Sequence, residues 1–414
     1  MQKTFKLVNK EISKLARVDI RFLFLIGLLI CLPILETLKN IFAFLFVVSW
    51  VVIAKKNNDW GGKWLIIDSI FLLWILADIF VSINAIITHQ FTGSGVRDII
   101  RFVLIAWVLS RTNFSKERLT QSALVAIVAV SVTLIYSYYA GHGELKELYS
   151  VGHINHTAIY LVITYAISLA LLLFNFNNLN SYQKITLVVT TIVLFITTID
   201  THSRAAFGLL IVITLLDFIY LLIRVKKLSL FFAFLVVVTC IVISLMQNPP
   251  ESLKRIQAKE HILNDSRDKI REFSYYSFKT NPLLGVGFKN FGQITMEDIK
   301  DAVLKDKGVF DRSLYKSSSH AHNVYYTYLV SGGLSIFSIF AWFWFYIVRV
   351  IIKLITKREN EWIVLSSIGV VLVNLGIGWV NTTFHHEHAV LSMFVLGLLI
   401  AQFRKSELIK ELAG

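Results

Sequence analysis

Long apolar runs, broken by short polar and mostly basic stretches, occupy most of the chain. A bilayer is crossed by about 20 apolar residues in helical form. The first run, from Phe22 to Ala54, exceeds one crossing, and Pro33, Glu36 and Lys39 interrupt it. It predicts a tight hairpin of two helices. Further spans are predicted at 64–87, 98–110, 121–139, 154–174, 185–200, 205–223, 229–246, 323–348, 361–381 and 389–403, about twelve in all. Residues 247–322 break this rhythm: they open with Pro249 and Pro250 and carry nearly balanced charge. The chain thus divides into spans one to nine (1–246), a long loop with short helices (247–322), and spans ten to twelve with a polar tail (323–414). One loop helix is predicted from Asp268 to Thr280; its Ile270, Phe273, Tyr276 and Phe278 suit a helix lying at the membrane surface.

Composition agrees with an all-α polytopic membrane fold. Of 414 residues, 56% are hydrophobic and 16% charged, against about 45–50% and 25% in soluble domains. Mean hydropathy is +0.65. An ordinary soluble enzyme, a disordered chain and a disulfide scaffold are excluded. Cys31 and Cys240 both lie in apolar runs and read as packed thiols. A net charge of +14 could suggest nucleic acid, but the basic residues sit in clusters between spans. Lys55/Lys56/Lys63, Arg111/Lys116/Arg118, Lys184, Arg224/Lys226/Lys227, Arg349/Lys353/Lys357/Arg358 and Arg404/Lys405 fall on one side, as does the amphipathic lead-in Met1 to Arg17. By the positive-inside bias that side is the cytoplasm, and both termini lie there. All eleven histidines fall in or beside the opposite loops. Imidazole chemistry on the outward face is the sharper reading of that bias, a polar rim the plainer one. Asp78 and Asp217 are the main charges within spans; a carrier would show more of them.

Candidate chemistry gathers on the outward side. Arg204, in Thr-His-Ser-Arg, opens a span, with Ser203 placed to cap it. A helix N-terminus joined to a guanidinium makes an anion site, whereas an arginine that only snorkels makes none. Arg267 and Arg271 share a helix face, and Asp268 or Glu272 could instead pair with them. Asn281-Pro282-Leu283-Leu284-Gly285-Val286-Gly287-Phe288-Lys289-Asn290-Phe291 reads as a turn and lacks the end of a phosphate-binding loop. His320-Ala321-His322-Asn323 precedes a span with Gly332-Gly333 further along. One of its imidazoles could act as a base oriented by Asn323. Alternatively, His320 and His322 could join His385-His386-Glu387-His388 in a zinc site, although no HExxH-like spacing is present.

In their order and spacing these elements resemble the O-antigen ligase and polymerase superfamily, most closely from about 185 to 345. Leu35-Glu36-Thr37-Leu38-Lys39-Asn40 and Trp60-Gly61-Gly62-Lys63-Trp64 resemble the ligase-type members. The resemblance implies a GT-C-like glycosyltransferase of the Gram-negative inner membrane with its active site facing the periplasm. The donor would be a glycan on undecaprenyl pyrophosphate and the acceptor lipid A–core, joined with inversion and without metal or other cofactor, in lipopolysaccharide biosynthesis. Carried over by motif, His322 would be catalytic with His320 in support. Arg204 and Arg267, with Arg271 beside them, would hold the pyrophosphate. Ligases often carry an acidic residue in the loop before the last span. Here that stretch reads Asn381-Thr382-Thr383-Phe384 before the histidine cluster. Besides membrane lipids, no further partner and no nucleic acid is implied. An O-antigen polymerase is the alternative within the superfamily, and a polytopic lipid or solute transporter the alternative outside it.

Overall fold

The computed structural model describes residues 19–141, 147–225 and 261–413. The lead-in Met1 to Arg17, His142, Lys226, Lys227, Cys240, the span expected at 229–246 and the first part of the long loop lie outside the described residues. The described helices are α1 (Ile20–Cys31), α2 (Glu36–Asn57), α3 (Ile66–His89), α4 (Val96–Ser110), α5 (Lys116–Ala140), α6 (Ile154–Phe174), α7 (Ser181–Asp200), α8 (Arg204–Val225), α9 (His261–Thr280), α10 (Met296–Lys307), α11 (Val324–Ile355), α12 (Glu361–Gly376) and α13 (His386–Ala413). No strand occurs among the described residues. Nine of the described helices, α2, α3, α5–α8 and α11–α13, are long and apolar enough to cross a membrane. The chain is an all-α, multi-pass membrane protein.

The expected hairpin turns between Cys31 and Glu36, around Pro33. Its first arm, α1, has 12 residues, and α4 has 15. At about 1.5 Å per residue both fall short of a hydrocarbon core about 30 Å thick. The bundle has central and peripheral members. In α6 and α13, 83% of the apolar window is buried, against 28% in α2 and 33% in α7 and α8. The apolar side chains of the outer helices therefore face lipid. Inner helices approach closely through small residues and bond through hydroxyls, as helices do where lipid cannot drive them together. Gly369 of α12 packs on Ala166 of α6. Tyr165 and Thr214 share a 2.8 Å hydrogen bond, Ser168 and Thr191 one of 2.6 Å.

At the end expected to face the cytoplasm, the buried Asp68 accepts from Trp107 Nε1 (2.7 Å), Arg111 Nε (2.8 Å) and Arg404 (2.5 Å). Arg111 also donates to the Trp60 carbonyl (2.6 Å) and Arg404 to that of Lys63 (3.0 Å). The Trp60–Trp64 motif is thus the strap of a clamp joining α3, α4 and α13.

The described loop residues 261–322 build a small core of their own. Phe273, Tyr276, Val286, Phe291, Ile299 and Val303 are buried in it together. The apolar face of α9 therefore points into the loop, whereas the sequence suggested a helix on the membrane surface. The loop's partner needed an inward face, and apolar spacing alone does not distinguish protein from lipid.

The turn motif and Gly332-Gly333 form one structural unit. α11 is interrupted at Gly333 (φ 61°, ψ −166°). The carbonyls of Val330 and Ser331 accept from the N–H groups of Val286 (3.0 Å) and Gly287 (2.8 Å). Beyond the break, the N–H groups of Leu334 and Ser335 donate to the carbonyls of Pro282 (2.8 Å) and Leu283 (3.2 Å). Backbone groups inside a membrane protein must be satisfied by protein, and here the loop supplies what the helix gives up. A Cβ at Gly333 would strike the Leu283 carbonyl, and one at Gly285 the Val330 carbonyl.

Candidate active site

Ser203 caps α8 as expected: its Oγ accepts from Ala206 N–H (3.4 Å). Arg204 is thereby the first residue of the helix, at the end where the opening N–H groups lie. Arg267 lies on α9 with its side chain partly open to solvent. Its pKa is lowered, by burial first and then by the positive charge of Arg204. The two guanidinium groups, 63 positions apart in sequence, are therefore electrostatic neighbours. No described carboxylate forms an ion pair with either. Arg271, one turn along α9, is exposed and paired with Asp268 (2.9 Å).

His322 stands just before the N-cap of α11 in a left-handed conformation (φ 49°). Its pKa is pushed down to about 4, by burial first and then by its neighbours, His320 and Arg267 among them. The imidazole is accordingly neutral near pH 7 and can accept a proton, within the field of Arg267. The His320 ring lies 4.0 Å from that of His322, centroid to centroid, and shares a 2.8 Å hydrogen bond with Ser319 Oγ. Burial lowers its pKa too. Asn323 does not orient either ring: its side chain caps α11 at Tyr326 N–H (3.0 Å) and donates to the Trp379 carbonyl (3.1 Å).

The structure adds five imidazoles to this pair. His156 of α6 lies 6.3 Å from His320, 4.8 Å from His385, 6.4 Å from His386, 5.5 Å from His388 and 6.2 Å from His153. Three separate stretches of sequence thus converge on one imidazole cluster. Burial, together with the surrounding imidazoles, holds the His385 pKa well below its ordinary value. Among the described residues no set of three or more His, Cys, Asp or Glu side chains is arranged to hold a metal ion, which leaves the zinc reading without a ligand set.

Beside the cluster is a cavity of about 300 Å³, lined by His156, His320, His385 and His386 together with Asp98, Lys289, Phe288, Tyr328, Thr382 and Phe384. Asp98 was not singled out in the sequence, where it is one acidic residue at the start of a span. Lys289 Nζ approaches it to 2.6 Å, Arg101 to 3.6 Å and His386 Nδ1 to 3.8 Å. Behind it, the buried Lys39 donates to Glu36, to Ser150 Oγ (2.5 Å) and to Glu387, which lies 3.8 Å from Arg101. The Leu35–Asn40 motif therefore anchors the hairpin to the His385–His388 turn. Below the cavity, Trp74, Phe102, Phe340 and Phe343 pack around Phe384, and Tyr328 OH donates to the Phe384 carbonyl (3.2 Å). Non-glycine residues with positive φ occur here: Lys289, His322, Phe384 and His386. Such strain persists where surrounding structure enforces it, and it gathers at functional sites.

These features define a multi-pass helical membrane protein with a cationic, imidazole-rich site at one end of its bundle. Residues 188–341, which carry Arg204, Arg267, Arg271, His320, His322 and the Gly333 break, match the family described as O-antigen ligase, and the match supports the O-antigen ligase superfamily. The match implies a glycosyltransferase-like enzyme of O-antigen biosynthesis that is membrane-embedded and acts on lipid-linked glycans. No curated protein matches the chain.

Proposed function

We propose that this chain is an O-antigen ligase of GT-C type in the Gram-negative inner membrane. It transfers a glycan from undecaprenyl pyrophosphate to lipid A–core on the periplasmic side, with inversion and without a metal. What supports this reading is a run of charge contacts: Arg267 feels the charge of Arg204, and His322 feels that of Arg267. Two neighbouring cations repel each other unless an anion lies between them, and a pyrophosphate leaving group supplies that charge. Guanidinium groups bind phosphate oxygens bidentately and can do the work a divalent ion does elsewhere.

In the proposed reaction the acceptor hydroxyl oxygen forms a bond to the sugar's anomeric carbon. The bond from that carbon to phosphate breaks, and its electron pair leaves with undecaprenyl pyrophosphate. The hydroxyl proton passes to neutral His322, with His320 in support. General-base assistance of this kind is worth about 10²–10⁴-fold.

A deletion strain tests the reading. Loss of a ligase leaves full-length glycan on undecaprenyl pyrophosphate and lipid A–core uncapped. If lipid A–core instead carries a single repeat unit, the protein is a polymerase and the ligase reading fails.

A further inference from the structure

We infer that the cavity beside His320 is a sugar subsite for the terminal residue of the acceptor, with Asp98 as its hydrogen-bond acceptor. The inference rests on the glycosyltransferase reading above and adds which substrate the cavity holds, and by which atoms.

Its size comes first. At about 300 Å³ it lies at the small end of ligand pockets, with room for a sugar ring but not for a lipid anchor. Its walls combine flat apolar surface with a few fixed polar atoms. Phe288 and Tyr328 meet edge to face at 5.2 Å, and Asp98, Lys289, His386 and Thr382 also line the cavity. A sugar ring has an apolar face and a rim of hydroxyls, so it needs both kinds of surface.

Charge separates this cavity from the arginine pair. Asp98 is met by Lys289 at 2.6 Å and Arg101 at 3.6 Å, and Glu387, Lys39 and Glu36 behind them bring the count to three carboxylates and three cations, so this wall is close to neutral. Arg204 and Arg267 have no such compensation from a described carboxylate. An anion is drawn to the arginines, whereas a neutral polyol fits the cavity. A carboxylate held by cations still offers lone pairs to hydroxyl donors.

Position decides which sugar. His322 feels the charge of Arg267, and His320, 4.0 Å from His322, lines the cavity. Neither Arg204, Arg267 nor His322 lines it. The cavity thus reaches the imidazole pair at His320 and does not include the guanidinium groups. In an inverting displacement the attacking oxygen enters on the side opposite the leaving group. If pyrophosphate leaves toward the arginines, the hydroxyl arrives from the cavity and meets an imidazole as it does.

Two measurements test this on the full-length protein in nanodiscs. The first is steady-state transfer by Asp98→Asn with undecaprenyl-pyrophosphate glycan as donor and lipid A–core as acceptor. The expected result is a rise of about tenfold or more in the acceptor KM, the scale of one charged hydrogen bond, with the donor KM unchanged. A raised donor KM with the acceptor KM unchanged overturns the assignment. The second needs neither turnover nor a substituted protein. Diazirine-bearing methyl β-D-glucoside, β-D-galactoside and N-acetyl-β-D-glucosaminide are photolysed with the wild type, and labelled peptides are mapped. Saturable labelling at 286–291 or 382–386, competed by the parent glycoside but not by inorganic pyrophosphate, upholds the subsite. Competition by pyrophosphate, or no saturable labelling, overturns it. Labelling in an enzyme that does not use lipid A–core upholds the subsite and sinks the proposed acceptor. Turnover of lipid A–core without labelling does the reverse.

Discussion

Lys39 and Glu387 lie 348 positions apart in sequence and form an ion pair inside the protein. Lys39 is 1% exposed and Glu387 4%. The pair ties the first hairpin to the start of the last helix, and so holds the turn that carries His385, His386 and His388.

Removing one partner of such a pair strands a buried charge. Lys39→Met is expected to destabilise the fold by about 3–5 kcal/mol, read as a lowered melting temperature in detergent. Glu36 also accepts from Lys39, but its side chain is 63% exposed, so Glu36→Gln should change the melting temperature little. Equal effects from the two substitutions would contradict the buried pair as the anchor.

His322→Ala should abolish transfer in protein that still inserts and folds, while His320→Ala should be milder. Because a base must be neutral, activity is lost as pH falls through its pKa. With His322 pushed down to about 4 in the free protein, the acid limb of kcat/KM should lie well below the ordinary histidine value of about 6.5. An acid limb at the ordinary value, or near wild-type turnover by His322→Ala, would remove this imidazole from the role of base.

Arg204→Ala and Arg267→Ala should each lose activity, and lysine at either position should restore little, since it cannot bind phosphate in a bidentate fork. Arg271, exposed and paired with Asp268, should tolerate alanine with most activity kept. Activity should survive EDTA. Full loss on chelation, restored by Zn²⁺ or Mg²⁺, would show that the arginines do not suffice.

Stability should fall in acid for a separate reason. His320, His322 and His385 all have pKa values lowered by burial. The unfolded chain therefore takes up their protons first as pH drops below about 6.5, and the stability present above that pH is lost on the way toward pH 4. A melting temperature that stays flat from pH 7 to 4.5 would argue against neutral, buried imidazoles.

Gly333→Ala should yield little folded protein, because the new Cβ meets the Leu283 carbonyl at a positive φ. Leu334→Ala, next to it but 46% exposed, serves as the control. Normal yield of the Gly333 variant would mean that the break is not obligatory.

The helices were legible because apolar runs of span length have few alternative uses, and because Pro33 and Ser203 mark a turn and a cap by local chemistry. The roles of the motifs were not legible. Glu36, Lys39 and Asn40 read as polar breaks in an apolar run; their partners Glu387, Ser150 and Arg101 lie far along the chain. Arg204 and Arg267 could be paired through a family likeness, yet no spacing rule brings α8 to α9. Asp98 carried no signal, since an acidic residue in a helix's first turn is ordinary. The histidines did carry one: their grouping in one set of predicted loops pointed to imidazole chemistry there, though not to the members of the cluster.

The gap in α11 has a consequence for how the protein is made. A span that holds all its own hydrogen bonds can settle in the bilayer as soon as it leaves the ribosome. α11 cannot, because four of its backbone groups are completed by residues 282–287. Those residues precede it in the chain, so on the topology expected here they have already been exported when α11 enters the membrane. They act as a splint waiting for the break. The helix that carries Asn323 and the glycines therefore becomes whole only after the exported loop has docked on it, which delays assembly of the outer site until that loop is in place.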